Sequence, residues 1–547
     1  MNPSAFATHE VFNQPPSPGP FDLWRDDPGL REALAREGGD AFAAHLAGYG
    51  ALAGGELLHL ADAAHRDRPR LKTHDAHGRR LDRVEFNAAW HEVMATAIAH
   101  GVAGLSWAQP QPGARLARAA LSYLHYQAEP GSSCPLTMTH AAVPVLRQAP
   151  ALREWADKAC AFDYDGRDLP IAHKRGITLG MGMTEKQGGS DVRANTTQAT
   201  ASGAGGEYTL VGHKWFFSAP MSDGFLVLAQ AAGGLSCFLL PRWRPDGSKN
   251  ALRLIRLKDK LGDWSNASSE VEFENAWAHR IGEEGRGIAT ILEMVMLTRL
   301  DCMLGSAGLM RMALRQAMHH AHHRRAFGKR LLEQPLMRSV LADLALESEA
   351  ATALAMRVAG AVERGAQDPH QAALARVATA IGKYWICKRA PGFVNEAQEC
   401  LGGLGYIEDT LLPRLYRQAP LNSIWEGCGN IQCLDVLRAL SREPATRVAL
   451  QHELQAAAGI DPCFDAALHG GLAMLDNGAD EAGARGLVER LALLLQGATL
   501  LRGDHPLAAH WCAARLGDAR MASYGALPTG IVVDAALARA ACSCAHC

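Results

Sequence analysis

The hydrophobic pattern changes its period twice along the chain. Up to about residue 175, apolar residues recur at helical spacing between Pro and Gly breaks. From about residue 181 to 274, short β-rich runs such as YTLVGHKWFFSA and GFLVLAQ are separated by Gly, Asp and Asn, which predicts an antiparallel β domain. The clearest early helix is Asn87–His100, with a candidate Asn cap and a predicted apolar face of Trp90, Val93, Met94, Ala97 and Ile98.

Helical periodicity returns at Gly287 and continues in long segments, which is typical of a helical bundle. Beyond about residue 440 the chain is rich in Ala and Leu, and LVERLALLLQGATLL is the clearest predicted helix there. The sequence therefore predicts an α+β protein with an N-terminal α domain, an antiparallel β domain, a C-terminal four-helix bundle and an extra C-terminal helical domain. The predicted boundaries are 1–180, 181–286, 287–440 and 441–547.

Composition narrows the class of protein. The 547 residues carry a net charge of −2, so the global balance does not call for a polyanionic partner. Thirteen scattered cysteines fit a reducing compartment better than a disulfide framework. The first twenty residues lack the pattern of a secretion signal, and no apolar run is long enough to span a bilayer. We therefore expect a cytoplasmic protein without a membrane partner.

The loop GMGMTEKQGGSD, residues 180–191, contains too many glycines for a helix and too many polar residues for a core strand. It lacks the spacing of a P-loop, and it does not lie in the βαβ context of a dinucleotide-binding fingerprint. By itself it predicts only a surface turn.

The loop is followed by an ordered set of further motifs: GHKWFFSA, HHRRAFGKRLLEQ, CLGGLGY and NSIWEGCGNIQ. This set, from about residue 80 to 440, resembles the acyl-CoA dehydrogenase family of flavoproteins. MGMTEKQGGSDVRANTT and LKDKLGDWSNASSEVEF are most similar to its alkylation-response branch, the AidB-like proteins, whose members carry an extra helical domain after the dehydrogenase core.

The resemblance implies FAD as the cofactor. Met183 and Thr184 would meet the edge of the isoalloxazine, where glycine allows close approach of backbone N–H groups. Gly189 and Ser190 would lie near the flavin or the pantetheine path. In HKWFFS, the hydroxyl of Ser218 would contact the flavin near N5, and two aromatic side chains, Phe216 and Phe217, would wall the ring.

The motif RRAFG implies a site for the other end of FAD. Arg324 would reach the pyrophosphate of a neighbouring subunit's FAD, because a guanidinium can donate two hydrogen bonds to a diphosphate. Phe327 would border the adenosine and Gln334 would make a polar contact there. Three nearby histidines share a helical face and could bind a metal, but an exposed face is the preferred interpretation, so we expect no metal. They are His319, His322 and His323.

Glu426, in WEGCGN, matches the carboxylate that removes the α-proton of an acyl-CoA. A glutamate can do this if burial raises its pKa towards neutrality. Here Gly-Cys-Gly-Asn follows Glu426, whereas Gly-Thr-Ser-Gln is usual, and Trp425 replaces a tyrosine. A fatty acyl-CoA substrate is thereby less favoured. The same resemblance assigns further positions to the cofactor pocket, namely Asn422, Trp425, Gly427 and Asn430.

Three functions remain open for this chain, of which the third is a non-enzymatic, flavin-stabilised oligomeric binding module. The first is an AidB-like FAD protein that associates with double-stranded DNA, limits alkylation damage and has weak isovaleryl-CoA dehydrogenase activity. The second is an ordinary dehydrogenase of a short branched acyl-CoA. A homotetramer is implied by the resemblance.

The predicted C-terminal domain does not have the charge of a DNA-binding domain. Residues 441–547 contain eight arginines, no lysine and eleven carboxylates, a net charge of −3. A local cluster could still bind DNA, with Arg438, Arg485, Arg490, Arg515 and Arg520 as candidates. The terminal CSCAHC could hold zinc, but an oxidation-prone tail is the preferred interpretation.

Overall fold

The fold comes from a computed structural model that describes residues 8–203 and 205–541. The terminal CSCAHC motif therefore lies outside the described residues. The N-terminal region is mainly helical, as predicted, but it also contains an antiparallel hairpin that the sequence analysis missed. Its elements are α1 (Pro28–Glu37), α2 (Ala43–Gly54), α3 (Glu56–Arg66), β1 (Arg70–His74), β2 (Arg80–Glu85), α4 (Ala88–Ala99), α5 (Leu105–Ala108), α6 (Ala114–Ala128), α7 (Pro130–Leu146) and α8 (Arg153–Ala159).

Helix α4 shows how the sequence specifies these elements. The side chain of Asn87 accepts a hydrogen bond from the backbone N–H of Trp90 and so caps the helix. The buried face consists of the five apolar residues predicted for it. The prediction for this helix is confirmed.

The central region forms a sheet of seven strands among the described residues, in the order β3-β5-β4-β6-β7-β9-β8. Most neighbours are antiparallel, as predicted, but β3 runs parallel to β6 because the β4–β5 excursion lies between them in the chain. Strand β5 also pairs with β9 along most of its length. The strands are β3 (Leu179–Gly182), β4 (Gln198–Ala201), β5 (Glu207–Ser218), β6 (Gly224–Ala231), β7 (Gly234–Pro241), β8 (Leu252–Leu257) and β9 (Ser268–Ile281).

The helical bundle is built around one central helix, α9 (Gly287–His323), which packs against α6, α7, α10 and α11. Residues 298–321 of α9 are buried on every side, so this part of the helix has no solvent-exposed face. The remaining elements are β10 (Arg325–Ala326), β11 (Lys329–Arg330), α10 (Pro335–Arg364), α11 (Pro369–Cys400), α12 (Leu412–Gln418), α13 (Gly429–Arg442), α14 (Pro444–Gln455), α15 (Pro462–Asn477), α16 (Ala484–Arg502), α17 (Ala508–Arg515) and α18 (Val533–Ala540).

The C-terminal helices pack directly on the bundle. Helix α16 contacts α10, α11 and α13, and α18 contacts α10. Within the described ranges, no helix is both long and apolar enough to cross a bilayer.

Candidate functional site

Glu426 lies in the loop between α12 and α13 with a left-handed backbone conformation, φ 58°. The three consecutive backbone carbonyls of residues 425–427 accept hydrogen bonds from side chains of neighbouring helices. Lys383 Nζ donates to the carbonyls of Trp425 (2.8 Å) and Gly427 (2.5 Å), and Arg299 Nε donates to that of Glu426 (3.1 Å). Gln432 Nε2 donates to the carbonyls of residues 426 and 427. These contacts fix a backbone conformation that a non-glycine residue rarely adopts.

The carboxyl group of Glu426 meets α9. Thr298 Oγ1 donates a hydrogen bond of 2.6 Å to Glu426 Oε2. Burial raises the pKa of Glu426, and the Thr298 hydrogen bond together with the charges of Lys383 and Arg299 opposes that rise. Burial prevails, so the pKa of Glu426 lies above its usual range. A carboxylate with a raised pKa is suited to general-base chemistry near neutral pH.

The side chain of Asn422 hydrogen-bonds to Trp425 and to groups of two neighbouring helices. Its Oδ1 accepts hydrogen bonds from Trp425 Nε1 (2.8 Å) and the Tyr126 hydroxyl (3.2 Å). Its Nδ2 donates to the Cys302 carbonyl and to Ser306 Oγ. Both ends of the buried amide are thus bound within the protein, and the contact of Asn422 with the cofactor stays a prediction.

A buried ion pair supports the loop of residues 180–191, which we call the flavin loop. Glu185 Oε1 and Lys214 Nζ are 2.8 Å apart, and both side chains are fully buried. Glu185 also accepts hydrogen bonds from the backbone N–H groups of Thr196 and Thr197. The backbone of Thr184 is tied to β5, because its carbonyl accepts from the N–H of Trp215 (2.8 Å).

The aromatic residues of β5 face opposite sides of the strand. Phe216 is 51% exposed, whereas Phe217 is completely buried in the sheet core against Phe225 and Phe273. Successive side chains of a strand alternate between its faces, so the prediction that both rings wall one flavin is wrong. Ser218, two residues after Phe216, is half-buried.

The end of β5 and the loop it touches fit a flavin. Met181, near the end of β3, is paired with Ser218, and the carbonyl of Thr184 is bound by the N–H of Trp215, the residue before the exposed Phe216. An exposed aromatic ring with hydroxyl and backbone groups beside it suits a flat heterocycle with a polar edge. Met183 and Trp425 also pack against one apolar cluster. This cluster connects the end of β3 to the loop that carries Glu426, which we call the base loop.

Gly189 and Ser190 are exposed at the tip of the flavin loop. A Cβ on Gly189 would lie 2.5 Å from Thr184 Oγ1, so only glycine allows the loop to close on that hydroxyl. The predicted contacts of these two residues with flavin or pantetheine stay predictions.

The hairpin β10–β11 carries the RRAFG motif and presents Phe327 at its tip, 99% exposed with φ 51°. Asn13 hydrogen-bonds to this hairpin. Its carbonyl accepts a hydrogen bond from Arg324 Nη1 (2.7 Å). Its side-chain amide accepts from the N–H of Arg325 and donates to the carbonyl of Arg325. Gln334 Nε2 donates to the carbonyl of Ala326. The role of this hairpin towards FAD stays a prediction.

The arginines predicted for DNA divide into two groups. Arg515 is paired inward with Asp343 and Glu347 of α10, and the acidic pair holds the pKa of its guanidinium above its usual value. The prediction that Arg515 contacts DNA is therefore wrong, because its charge is already neutralised inside the protein. The side chains of Arg438, Arg485 and Arg520 are exposed, and that of Arg490 is half-buried.

Arg485 of α16 reaches the first turn of α13, just after the Glu426 loop, because its Nε donates to Asn430 Oδ1 at 2.9 Å. Asn430, predicted as a cofactor contact, is exposed at this point. Cys428 is exposed as well.

The histidine face of α9 is not exposed as predicted. His319 is buried, and its Nε2 is 2.9 Å from the carbonyl of Pro16. Among the described residues, no group of three or more His, Cys, Asp or Glu side chains is arranged to hold a metal ion.

The residues that position the base were missed in the sequence. Lys383, Arg299 and Thr298 lie 43 to 128 positions before Glu426, so no local motif joins them to it. The available signal was polar residues in otherwise apolar helices, as in VMLTRLDC and AIGKYWIC.

Three family models match consecutive parts of the chain. They are the "Adaptive response protein AidB N-terminal domain" over residues 13–166, the "Acyl-CoA dehydrogenase, middle domain" over 180–276 and the "Acyl-CoA dehydrogenase, C-terminal domain" over 285–441. A protein of Escherichia coli strain K12 named "Putative acyl-CoA dehydrogenase AidB" is 49% identical over 93% of this chain and 94% of its own length.

Two further comparisons point to the same architecture. Acyl-CoA dehydrogenase family member 11 of Caenorhabditis elegans is 32% identical over 76% of this chain and 70% of its own length. The crystal structure of C. elegans ACDH-11 in complex with C11-CoA superposes with a TM-score of 0.86 at 27% identity and covers 96% of both chains.

Fold, site and comparisons define a class, the FAD-dependent oxidoreductases with acyl-CoA dehydrogenase architecture. The predicted fold class, the cofactor FAD and the enzyme class are thereby confirmed. Within that class, the chain belongs to the AidB branch of the acyl-CoA dehydrogenase family.

Proposed function

We propose that the protein oxidises a short branched acyl-CoA between Cα and Cβ, weakly, in the manner of an isovaleryl-CoA dehydrogenase, and associates with DNA to limit alkylation damage. Glu426 is the base that takes the α-proton. FAD would be held by the loop at Met183 and Thr184 and by the end of β5, and it would supply the acceptor for the hydride from Cβ.

The observation that carries the dehydrogenase proposal is the carboxyl of Glu426, raised in pKa and held at a fixed position. Thr298 donates to Oε2 at 2.6 Å, which leaves Oε1 to accept the substrate proton. The loop carbonyls are bound by Lys383 and Arg299, so the carboxylate is oriented before substrate binds. Trp425 narrows the pocket beside the base and favours a short acyl group.

A cavity of about 480 Å³ near the start of α9 is suited to the phosphates of CoA. Arg193 and Arg286 line it, and both side chains are exposed. The eleven positions from Gly287 to Thr298 along α9 span about 16 Å. An extended pantetheine arm can bridge that distance between the base and a bound diphosphate. A CoA-bound neighbour, the C. elegans protein, has the same fold.

Anaerobic mixing of the FAD-loaded protein with isovaleryl-CoA tests this proposal. We expect the flavin absorbance to bleach, and Glu426→Gln to abolish the bleaching while retaining the flavin. Glu399→Gln, an exposed carboxylate of the same bundle, is the matched control and should bleach like the unmodified protein. Absence of bleaching in the unmodified protein would refute the dehydrogenase proposal.

The turnover rate distinguishes the proposed function from the alternative of an ordinary acyl-CoA dehydrogenase. Steady-state oxidation with an artificial electron acceptor should be slow for the proposed function. Rapid turnover on a short branched acyl-CoA, together with an absence of DNA binding, would favour the alternative.

The DNA proposal is supported by the adaptive-response description of the matching N-terminal family. It is also supported by four arginines on α13, on α16 and after α17 that form no ion pair with a carboxylate of the described residues. Arg438 lies on α13 and Arg485 and Arg490 on α16, two helices that pack against each other. Arg520 is exposed beyond α17. Arg485 also contacts Asn430 in the first turn of α13, four residues after Glu426, so bound DNA would lie close to the active site.

A titration with duplex DNA over a salt series tests the DNA proposal. Affinity should fall with salt, and Arg438→Gln with Arg485→Gln should reduce the log–log slope by about two, since each phosphate contact contributes about one. Arg153→Gln, on the exposed surface of α8, should leave the slope unchanged. A flat salt dependence would contradict DNA binding.

We further propose a homotetramer in the cytoplasm. The exposed Phe327 beside Arg324 supports a contact between subunits at the hairpin. Light scattering after gel filtration measures the assembly, and a monomer that retains FAD would contradict it.

A further inference from the structure

Lys383 is a buried cation with no carboxylate at ion-pair distance among the described residues. Its side chain lies in α11 and is 1% exposed, and its ammonium is bound by the carbonyls of Trp425 and Gly427. Burial of an ammonium is costly unless a counter-charge lies nearby. Because its two acceptors flank Glu426, the nearest candidate counter-charge is the carboxylate of that residue.

The other cation of the loop is already neutralised. Arg299 Nη1 lies 2.7 Å from Asp435 Oδ2, and Arg376 shares the same carboxylate. Lys383 therefore differs from Arg299 in having its positive charge uncompensated except by Glu426.

The remaining titratable groups around the base are neutral thiols. Cys134 of α7 and Cys302 of α9 both interact electrostatically with Glu426, and burial raises the pKa of each thiol, that of Cys134 to about 12. Cys387, one turn beyond Lys383 on α11, is also buried with a raised pKa. None of the three carries charge at neutral pH, so Lys383 is the unpaired charge that faces Glu426.

We propose that Lys383 is a positioning residue with two linked effects on the base. Its ammonium draws the carbonyls on either side of Glu426 together and so holds the left-handed backbone that aims the carboxylate. Its charge also keeps the buried carboxylate ionised at a lower pH than burial alone would allow. This inference rests on the proposed role of Glu426 as the base.

The charge effect is measured without turnover. Infrared difference spectra of the FAD-loaded protein over a pH series report the protonated carboxyl band of Glu426, identified by its loss in Glu426→Gln. Lys383→Met should move the midpoint of that band to higher pH, by about one pH unit. Lys383→Arg, which keeps the charge, should stay near the unmodified midpoint. Lys388→Met, an exposed lysine of the same helix, is the matched control and should not shift it.

The bleaching reaction supplies the second readout. The acid limb of its pH profile should move upward in Lys383→Met by the same amount as the carboxyl midpoint. If the unmodified protein does not bleach, the dehydrogenase proposal fails, but the infrared titration still decides the role of Lys383.

Thermal unfolding distinguishes the loss of a charge interaction with Glu426 from a general loss of stability in Lys383→Met. Removal of Lys383 leaves a buried carboxylate without its counter-charge, so the loss of melting temperature should be large above the Glu426 midpoint and should diminish on acidification. The double variant Lys383→Met/Glu426→Gln should be more stable than Lys383→Met alone at neutral pH. An unshifted carboxyl midpoint, or a stability loss that is equal at every pH and not relieved in the double variant, would overturn the proposal.

Discussion

At the scale of single residues, two opposing effects act on the carboxyl of Glu426. Burial disfavours the charged form, and the Thr298 hydroxyl with the neighbouring cations favours it. The net pKa is raised, so the carboxylate is present above that pKa and is lost as pH falls through it. The rate of proton removal should follow the same direction.

Replacement of Thr298 tests the hydrogen-bonding contribution. Thr298→Val removes a hydrogen bond to the ionised form, so the pKa of Glu426 should rise further. A hydrogen bond to a charged group contributes about 1.5 kcal/mol or more. The rate of flavin bleaching below the midpoint should therefore fall about tenfold. Stopped-flow bleaching by isovaleryl-CoA over a pH series measures this.

The control for this prediction is Thr290→Val on the same helix, because that hydroxyl donates to the Arg286 carbonyl and not to the base. An unchanged pH profile in Thr298→Val would show that its hydrogen bond does not tune Glu426.

At the scale of elements, the flavin loop depends on one buried ion pair. Glu185 and Lys214 are fully buried 2.8 Å apart, and the carboxylate also orders the backbone at residues 196 and 197. Loss of one partner leaves the other charge buried alone, which typically costs about 3–5 kcal/mol. The positions of Met183 and Thr184, the predicted flavin contacts, therefore depend on an ion pair that is itself fully buried.

We expect Lys214→Met to lower the melting temperature and to weaken FAD binding. Lys72→Met removes an exposed pair with Glu85 and should change stability by less than about 1 kcal/mol. Thermal unfolding and FAD fluorescence titration measure the two effects. Full retention of FAD affinity in a folded Lys214→Met would contradict the dependence of the loop on this pair.

The Glu185 pair also predicts a pH dependence of stability. Its hydrogen bonds hold the pKa of Glu185 well below its usual range. A depressed pKa gives stability that is present above the unfolded value of about 4.3 and lost as pH falls further. The stability difference between the unmodified protein and Glu185→Gln should therefore shrink at acid pH, and denaturant unfolding at several pH values measures it.

At the scale of the whole molecule, the C-terminal helices use much of their positive charge internally. Arg515 bonds Asp343 and Glu347, Arg539 bonds Glu349, and Arg502 bonds Glu453. These pairs attach the C-terminal region to the bundle and to itself. Because these ion pairs occupy Arg502, Arg515 and Arg539, few arginines of residues 441–547 remain available to an external polyanion.

Arg515→Met should loosen the attachment of α17 to α10. Two buried carboxylates would lose a partner, although Glu347 would retain Arg389. We expect a cost of about 3 kcal/mol and faster proteolysis within residues 508–541. Arg520→Met, at an exposed site, is the control. Equal proteolysis of the two variants would contradict a structural role for Arg515.

The sequence predicted more of the fold than of the site. Helix α4 follows from periodicity and capping, and the start of α9 from periodicity, which are local properties. The hairpin β1–β2 was missed because it is a short insertion among helices, and the parallel β3–β6 pairing because strands distant in sequence form it. At the site, Glu426 and the flavin loop were recognised as motifs.

By itself, the sequence determined the order of helical and β regions, the family and the cofactor, because local periodicity and contiguous motifs carry that information. Only the tertiary structure decided that Phe217 faces the core, that Arg515 is neutralised by α10, and that Lys383 and Thr298 meet the loop of Glu426. The reason is physical: burial and the partners of a charge depend on what the fold brings together. The pKa of a base is set by those distant neighbours, and no spacing in the chain records them.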